Sequence, residues 1–256
     1  MCGRYASFRE DQQLADEFAI AAVADDARLL PPSWNVAPTD GVRIVVDRPD
    51  DQGEVVRQLR VARWGLVPVW AKDPSIGNRF VNARAESLSD SNAFARPFAV
   101  RRALLPADGY FEWQKLAEPP ADRPKARVPK QPYYIHPSGG QSLALAGLYE
   151  FWRDPSKADD DPARWLVSAV VITRPALPEL EHIHDRQPLI LTPDLWEAWL
   201  DPAVGPEEAT RLLSAAPPSL TATPVGDAVS NVRNNGPELL TPTDPKPGAD
   251  APDQLF

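Results

Sequence analysis

The sequence predicts an α+β protein with a single domain, built on a curved, barrel-like and mainly antiparallel β-sheet core flanked by several helices. Alternating apolar and polar residues, the pattern of half-buried strands, recur along most of the chain, and few helical patterns lie between them. No repeating strand–helix–strand unit appears, which argues against a parallel sheet. The 256 residues are 43% hydrophobic, enough for one sizeable core. We expect residues 1–243 to form this domain and residues 244–256 to be a disordered tail.

The first predicted element is an amphipathic helix over residues 10–22, because Leu14, Phe18 and Ile20 recur at roughly helical spacing. Strand patterns cover residues 42–47, 54–64, 102–105, 109–114, 131–135, 143–151, 165–173, 189–191 and 221–224. Further helices are predicted over residues 88–94, 193–200 and 206–215, with Thr192 as the N-cap of the second. Two charged segments between predicted strands, residues 117–130 and 153–164, are predicted to be surface insertions.

Charge is unevenly distributed along the chain. The 27 Lys and Arg residues are outnumbered by 36 Asp and Glu residues, which gives a formal net charge of −9. Such a protein is not expected to coat nucleic acid non-specifically, since that binding depends on neutralising phosphates. A local positive cleft is still compatible with this sequence, because distant exposed charges are screened. One stretch carries the excess of arginines needed: Arg79, Arg84, Arg96, Arg101 and Arg102.

Composition excludes several classes of site. The single cysteine rules out an intrachain disulfide and a cysteine-rich zinc or iron–sulfur site. Since the chain also has only three histidines, we expect no metal and no other cofactor. No apolar run approaches the ~20 residues that span a bilayer, and the N-terminus lacks a secretory signal. We therefore expect a cytoplasmic, monomeric protein with no membrane partner.

Cys2 has the most distinctive chemistry in the chain. A small second residue permits removal of Met1, and the processed chain would carry an α-amine and a thiol on one residue. The reference pKa values of these groups, roughly 7.7–8.0 and about 8.5, make reactive forms of both accessible near neutral pH. Toward an aldehyde, the amine forms a Schiff base and the thiol then closes a thiazolidine ring in an intramolecular step. The alternative is that Cys2 has no chemical role.

The segment GYFEW, residues 109–113, contains a candidate acid–base group. Alternation along a strand places Tyr110 and Glu112 on one face, and Phe111 and Trp113 on the other. A Glu among aromatic residues is either a paired structural carboxylate or a general acid/base whose pKa is raised by burial. The sequence alone leaves both readings open.

A second candidate lies in HIHDRQP, residues 182–188. His184 is followed by Asp185, which is suited to orienting an acid–base histidine. The alternatives are a metal site, for which too few partner ligands exist, and a structural histidine with satisfied hydrogen bonds.

Aromatic and basic residues in the first third of the chain are compatible with a nucleic-acid surface. Trp70 is followed along the chain by Arg84, and exposed Trp beside Arg is typical of surfaces that stack bases and bind phosphates. Such aromatic residues are also common in cores. The segment NVAPT, residues 35–39, is either a rigid loop that offers backbone N–H groups to an anion or an ordinary turn.

Together these segments resemble the SOS response-associated peptidase (SRAP) family of abasic-site processing proteins. The match runs in order through MCGRYA at 1–6, WNVAPT at 34–39, RWGLVPVWA at 63–71, NARAES at 82–87, LLPADGYFEWQK at 104–115, LALAGLYEFW at 143–152, VVITRPA at 170–176, HIHDRQPLIL at 182–191 and NVRNNGPELL at 231–240. Cys2 alone is a weak signal, but Cys2, NAR, GYFEW and IHDR in this order are specific.

The resemblance implies a SRAP-like fold and a cytoplasmic protein, associated with the nucleoid during DNA damage, that cross-links covalently to abasic sites in single-stranded DNA. Cys2, uncovered when the protein removes Met1 from itself, would attack the ring-opened sugar. Asn82 would position that sugar, and Glu112 would shuttle protons. His184 would protonate the opening sugar or assist departure of the 3′ phosphate, in a lyase-like reaction.

The same resemblance implies a set of DNA contacts: Arg4, Asn35, Pro38, Trp70, Arg84 and Trp113. The guanidinium of Arg84 suits bidentate binding of a phosphate. The family pattern also places a basic residue near Asn92, where this chain has none, and Arg96 is the candidate replacement.

Two other functions remain open at this stage. An N-terminal-nucleophile peptidase would use Cys2 against an amide with His184 as base, and it would cleave peptides in trans. A module that stacks damaged or modified bases without chemistry would bind DNA reversibly and independently of Cys2.

Overall fold

β-Strands make up most of the regular structure. The computed structural model describes residues 2–50, 52–117 and 128–249. The strands are β1 (Tyr5–Ser7), β2 (Ala22–Val23), β3 (Ser33–Val36), β4 (Gly41–Pro49), β5 (Val55–Trp64), β6 (Asn82–Arg84), β7 (Arg102–Ala107), β8 (Gly109–Lys115), β9 (Lys130–Pro137), β10 (Leu143–Arg153), β11 (Trp165–Pro175), β12 (Arg186–Pro188) and β13 (Leu220–Pro224). The α-helices are α1 (Asp11–Phe18), α2 (Asp25–Leu29), α3 (Ala95–Val100), α4 (Pro178–Glu181), α5 (Pro193–Leu200) and α6 (Pro206–Leu212).

A closed barrel of five strands lies at the centre. β11, β10, β7, β4 and β5 are neighbours in that order, and a parallel pairing of β5 with β11 closes the ring. In this pairing Arg63 lies opposite Ser168, and Trp64 lies opposite Ala169. β6 and β12 both pair with the C-terminal part of β11. The predicted barrel-like, mainly antiparallel core with flanking helices is confirmed.

Alternation along the barrel strands separates two apolar cores. Val42, Ile44 and Val46 of β4 belong to the cluster that fills the barrel. Val45, which points to the opposite face of the same strand, belongs to the cluster beneath the helices, together with Trp199 of α5. Each barrel strand is therefore buried on both faces, and the helices have an apolar surface to pack against.

A second sheet of five antiparallel strands, in the order β13-β9-β8-β1-β3, packs at one end of the barrel. β7 leads into this sheet directly, because β8 begins two residues after β7 ends. Tyr5, Tyr110 and Tyr133 of the sheet share one apolar cluster with Ala107 and Leu143 of the barrel. This contact places the N-terminus of the chain between the two sheets.

Most predicted elements are found within a few residues of their expected bounds, and Thr192 is the N-cap of α5 as predicted. The first helix stops at Phe18 instead of residue 22, because Ala19 adopts a left-handed conformation with φ of 53°. The short strands β1, β2, β3 and β6 were not predicted. They are too short for alternation to show.

The predicted helix over residues 88–94 is wrong. This stretch consists of turns and irregular backbone, and α3 starts only after Phe94. Ser91 explains the shift, because its hydroxyl accepts a hydrogen bond from the Ala93 N–H at 3.3 Å and its carbonyl accepts one from the Ala95 N–H at 2.8 Å. Pro97 then falls in the first turn of α3, where a missing N–H is tolerated.

The predicted strand over residues 189–191 is displaced toward the N-terminus, where β12 covers Arg186–Pro188. Leu189 and Leu191 still donate backbone hydrogen bonds to Ile172 and Ala144 of the barrel, at 2.8 and 3.0 Å. Their apolar run therefore reflects burial against the barrel rather than membership of a strand.

The structure describes all of the predicted insertion at 153–164, but only parts of the predicted insertion at 117–130 and of the predicted tail at 244–256. Within the insertion at 153–164, Arg153 forms an ion pair with Asp159. Lys246, inside the expected tail, is held in place, since its N–H donates to the Gln131 side chain at 3.0 Å and its ammonium pairs with Asp227 at 2.6 Å. The rest of that tail, residues 250–256, and most of the insertion at 117–130 lie outside the described residues.

None of the described helices is both long enough and apolar enough to cross a membrane.

Candidate functional site

Cys2 lies alongside the strand that carries Glu112. β1 and β8 are antiparallel, with Tyr5 opposite Tyr110, and the Phe111 N–H donates to the Arg4 carbonyl at 2.9 Å. Continuing this register toward the N-terminus places Cys2 and Gly3 next to Glu112 and its neighbours. The short strand β1, missed by alternation, is thus what positions the candidate nucleophile.

The Cys2 thiol is fully buried, with 0% of the residue exposed. Its Sγ lies 4.0 Å from the Arg4 carbonyl oxygen. Burial raises the pKa of this thiol far above its usual value, and the negative charge of Glu112 raises it further. The thiol is therefore held protonated, and a nearby base must accept its proton before it can attack.

Asn82 contacts Cys2 directly. β6 runs parallel to β11, with Asn82 opposite Val171, and this placement brings the Asn82 side chain to the N-terminus. Its Nδ2 donates to the Cys2 carbonyl oxygen at 2.7 Å. Its Oδ1 is buried and accepts no hydrogen bond from the described residues, so it is available to accept one from a hydroxyl of a bound ligand.

Glu112 occupies the face predicted by alternation. It lies in the interior with Tyr110, whereas Phe111 and Trp113 pack in a separate cluster behind β8. Burial is the main cause that raises the pKa of Glu112 to about 7, and the negative charge of Asp185 contributes. Near neutral pH both protonation states are therefore populated, which suits a group that donates and accepts protons in turn.

The His184 loop lies close enough to Glu112 for the negative charge of Asp185 to raise the pKa of Glu112. His184 Nδ1 accepts a hydrogen bond from the Arg186 N–H at 3.0 Å and lies 2.8 Å from an oxygen of Asp185. One nitrogen cannot accept from an amide and donate to a carboxylate at once. Burial lowers the pKa of His184, which favours the neutral ring with Nδ1 accepting and the proton on Nε2. The protonated ring would instead donate from Nδ1 to Asp185.

Arg186 fixes this loop to the NARAES segment. Its guanidinium pairs with Glu86 at 2.5 Å and donates to the Thr173 carbonyl at 2.8 Å. Thr173 lies opposite Arg84 on one side of β11 and opposite Pro188 on the other. β11 is therefore the common support for the residues around Asn82 and those around His184.

Arg4 is half-buried and held from three directions. It donates from Nη1 to Asn35 Oδ1 at 2.8 Å and to the Val229 carbonyl at 2.9 Å. Its guanidinium carbon lies 5.7 Å from the ring centroid of Trp113. Trp113 in turn donates from Nε1 to Ser230 Oγ at 3.0 Å. Arg4 and Trp113 thus form one preorganised unit beside Cys2.

Asn35 differs from the expectation of a DNA contact. Its side chain is buried, and Nδ2 donates to the carbonyls of Asn231 and Asn234 at 3.1 and 2.9 Å while Oδ1 accepts from Arg4. All of its polar capacity is used inside the protein, so Asn35 positions Arg4 and the 229–234 segment. Pro38, two residues beyond β3, is half-buried next to Thr39, which has a φ of 82°.

Trp70 and Arg84 are accessible to a ligand. Trp70 is 52% exposed and donates from Nε1 to the Asn92 carbonyl at 3.2 Å. Arg84 is exposed at the end of β6, two residues after Asn82. An aromatic face is therefore presented on the surface, and a cation is presented next to Asn82.

The structure brings Cys2, Asn82 and Glu112 into one cluster, and His184 lies on the loop whose Asp185 acts electrostatically on Glu112. Sequence reasoning missed two residues of this region. Arg186 could have been identified from the sequence, because it belongs to the same IHDR motif as His184. The hydroxyl of Tyr110 is buried and makes no hydrogen bond with the described residues, which no sequence pattern could have shown. Within the described ranges, no group of three or more His, Cys, Asp or Glu residues is arranged to hold a metal ion.

Comparison with known proteins identifies relatives that span the whole domain. Abasic site processing protein YoqW of Bacillus subtilis is 34% identical over 242 residues, which cover 94% of this chain and 99% of that protein. Abasic site processing protein YedK of Escherichia coli is 29% identical and covers 94% of this chain and 100% of its own. Abasic site processing protein HMCES of Gallus gallus is 31% identical over 82% of this chain and 66% of its own.

The fold also recurs among solved structures. A crystal structure of a protein from Bacteroides thetaiotaomicron matches with a TM-score of 0.75 at 22% identity, over 94% of this chain and 100% of the other. The family model described as SOS response associated peptidase (SRAP) matches residues 1–232. These matches confirm the resemblance carried by the motifs, and the chain belongs to the SRAP family.

Proposed function

We propose that this protein processes abasic sites in single-stranded DNA by forming a covalent cross-link through Cys2 after Met1 has been removed. The names of the relatives support the lesion as substrate. The observation that carries the chemistry is the buried cluster in which Asn82 bonds to Cys2 at 2.7 Å beside Glu112, whose pKa is raised to about 7. This cluster combines a nucleophile, a positioning amide and an acid–base group.

The first step is attack of the freed Cys2 amine on the aldehyde carbon, C1′, of the ring-opened sugar. Attack gives a carbinolamine, and protonation of its hydroxyl by the acid form of Glu112 releases one water and leaves an iminium ion. Glu112 leaves this step as a carboxylate. A buried carboxylic acid with a pKa near the working pH is suited to this transfer.

The second step closes the ring. The carboxylate of Glu112 accepts the thiol proton while Sγ attacks the iminium carbon, and a thiazolidine forms. The sum of both steps is aldehyde plus aminothiol giving thiazolidine plus one water, and Glu112 returns to its acid form. Because amine and thiol stand on the same residue, the second attack is intramolecular.

The surrounding residues suit a strand opened at the lesion. Arg84 would bind a flanking phosphate, Trp70 and Trp113 would stack on bases, and Asn82 Oδ1 would accept a hydrogen bond from a sugar hydroxyl. An abasic nucleotide lacks stacking, so the strand can bend there and bring C1′ to a buried nucleophile at low energetic cost. The lyase-like cleavage assisted by His184 and the self-removal of Met1 are further parts of this proposal.

Intact mass spectrometry of the purified protein, before and after mixing with single-stranded DNA that carries one abasic site, tests the proposal. We expect the free protein to lack Met1 and the product to have the summed mass of protein and DNA less one water. The same DNA with its abasic aldehyde reduced to an alcohol, and the variant Cys2→Ala, should give no heat-stable adduct. A stable adduct with Cys2→Ala, or from protein that keeps Met1, would overturn the mechanism.

A further inference from the structure

The end of the barrel opposite the second sheet holds a cavity, which we call the distal mouth. It is lined by Arg48, Arg60, Arg101, Phe151, Arg153, Trp165 and Val167 together with Val69 and Arg96. The alternation of side chains along the barrel strands explains which residues line the mouth. Arg48 continues the interior-facing series of Val42, Ile44 and Val46 on β4, and Arg60 precedes Ala62 and Trp64 on β5. The interior of the barrel is thus apolar along its length and ends in arginines.

The distal mouth lies away from Cys2. Leu143, at the end of β10 next to the second sheet, and Phe151, in the mouth, are separated by eight residues, or roughly 26 Å along a strand. The antiparallel strand β7 gives the same arrangement, because it starts next to Arg101 at the mouth and ends at Ala107, opposite Leu143, before the chain continues to Glu112 on β8. The mouth is therefore distinct from the reactive cluster.

Positive charge in the mouth is only partly neutralised. Arg101 pairs with Glu150, and Arg153 pairs with Asp159. Arg48, Arg60 and Arg96 form no ion pair with any described residue. Burial lowers the pKa of Arg101, and the nearby charges of Arg96 and Arg48 lower it further, so these guanidinium groups crowd together.

Aromatic rings lie among these charges. The guanidinium carbons of Arg48 and Arg101 lie 4.8 and 5.3 Å from the ring centroid of Phe151. Trp165 is 47% exposed at the rim. The cavity measures about 750 Å³, which is room for a nucleotide-sized group. Cations beside aromatic faces match the phosphates and bases of a single strand.

The mouth is continuous with the surface that we assign to DNA. Val69 lines it, and the exposed Trp70 is the next residue. Arg96 also lines it, on the helix that follows Asn92, whose carbonyl accepts the hydrogen bond from Trp70. Apart from the arginines, the lining side chains are Val69, Phe151, Trp165 and Val167, none of which has an acceptor for a base edge. This chemistry fits a strand bound without sequence preference better than one specific free nucleotide.

We propose that the distal mouth binds the sugar–phosphate chain and bases of the single-stranded DNA that flanks the lesion, beyond Trp70. This inference rests on the proposed function, since it takes the strand at Trp70 as given. It adds a second anchoring point that lengthens the binding site and leaves the reaction at Cys2 unchanged.

The test compares Arg48→Ala/Arg60→Ala with a matched control, Arg28→Ala/Arg211→Ala, which removes two exposed arginines from α2 and α6 outside the barrel. Fluorescence anisotropy measures binding of undamaged single strands of about 6 and about 20 nucleotides over a range of salt concentrations. Thermal unfolding checks that both variants fold. The rate of adduct formation with a short abasic strand is measured in parallel.

We expect the mouth variant to bind the long strand about tenfold more weakly than the control does, with a salt slope smaller by about 1.4 if two phosphate contacts are lost. Binding of the short strand and its adduct rate should match the control. An equal loss for both strand lengths, or no loss for either, would overturn the inference. Failure of adduct formation in the unmodified protein would instead count against the proposed function, so the two failures can be told apart.

Discussion

The side-chain amide of Asn82 donates to the backbone carbonyl of Cys2 across 2.7 Å, and this bond ties the NAR segment to the N-terminus of the chain. The two residues are 80 positions apart in sequence. The bond fixes the backbone of the residue that carries both proposed nucleophiles, while the other atom of the amide, Oδ1, stays available to a ligand.

Replacing Asn82 by Ala should therefore slow adduct formation without abolishing it. The variant loses the hydrogen bond to Cys2 and the one proposed to the sugar, and losses of about 1–3 kcal/mol correspond to a rate lower by about 5- to 150-fold. Time courses of heat-stable adduct on denaturing gels measure this rate. Asn78→Ala is the matched control, because Asn78 contacts only the Arg63 side chain in the hydrogen bonds of the described residues. Equal rates for both variants would contradict the role of Asn82.

The raised pKa of Glu112 makes the adduct rate depend on pH. With a pKa of about 7, its acid form, required for loss of water, is depleted as the pH rises through that value. We expect the rate of adduct formation in the wild type to fall as the pH rises through this value. The corresponding inflection should be absent in Glu112→Gln. Rapid-quench measurements over a pH series check this. An unchanged profile in the variant would assign the ionisation to another group.

A stability measurement provides an independent check on Glu112. The carboxyl has a pKa of about 7 when folded and 4.5 as a model compound, so its favourable contribution is complete below about pH 4.5 and is lost as the pH rises through about 7. Glu112→Gln, which cannot ionise, should lack this loss. The free energy of unfolding of the variant relative to wild type should thus increase from acid to alkaline pH in denaturant titrations.

Sequence reasoning succeeded where a pattern reflects local geometry. The period of two in GYFEW placed Glu112 in the interior because strand geometry enforces it, and Cys2 was identifiable because its chemistry depends on position alone. Asn35 shows where such reasoning fails. Its motif gave no sign that the amide bonds to residues 229–234, about 195 positions later in the chain. Arg96 and Arg101 of the distal mouth belong to the arginine-rich stretch visible in the sequence. Arg48, Arg60 and Arg153 were hidden, since they come from three separate strands that only barrel closure brings together.

Because Asn35 is a positioning residue, its replacement should affect stability as well as DNA binding. Asn35→Ala leaves the Val229, Asn231 and Asn234 carbonyls without their shared donor and Arg4 without one acceptor, at a cost of about 1–3 kcal/mol. We expect a lower Tm together with weaker binding of single-stranded DNA. Arg4→Ala should weaken binding with a smaller change in Tm. If Asn35→Ala weakened binding at an unchanged Tm, direct contact with DNA would be the better explanation.

Asp185 and the backbone N–H of Arg186 both contact Nδ1 of His184. This arrangement predicts the effect of Asp185→Asn on the pKa of His184. The charge of Asp185 raises the pKa of His184, against the dominant effect of burial, which lowers it. Removing that charge should lower the pKa of His184 further and hold the ring neutral, with Nδ1 accepting from Arg186 and the proton on Nε2. NMR titration of the imidazole measures both the pKa and the tautomer. Asp185 is 81% exposed, so its charge is screened by solvent and the shift should shrink with added salt. A pKa that rises in Asp185→Asn would show that the carboxylate does not stabilise the protonated ring, and the two-partner description of Nδ1 would then be wrong.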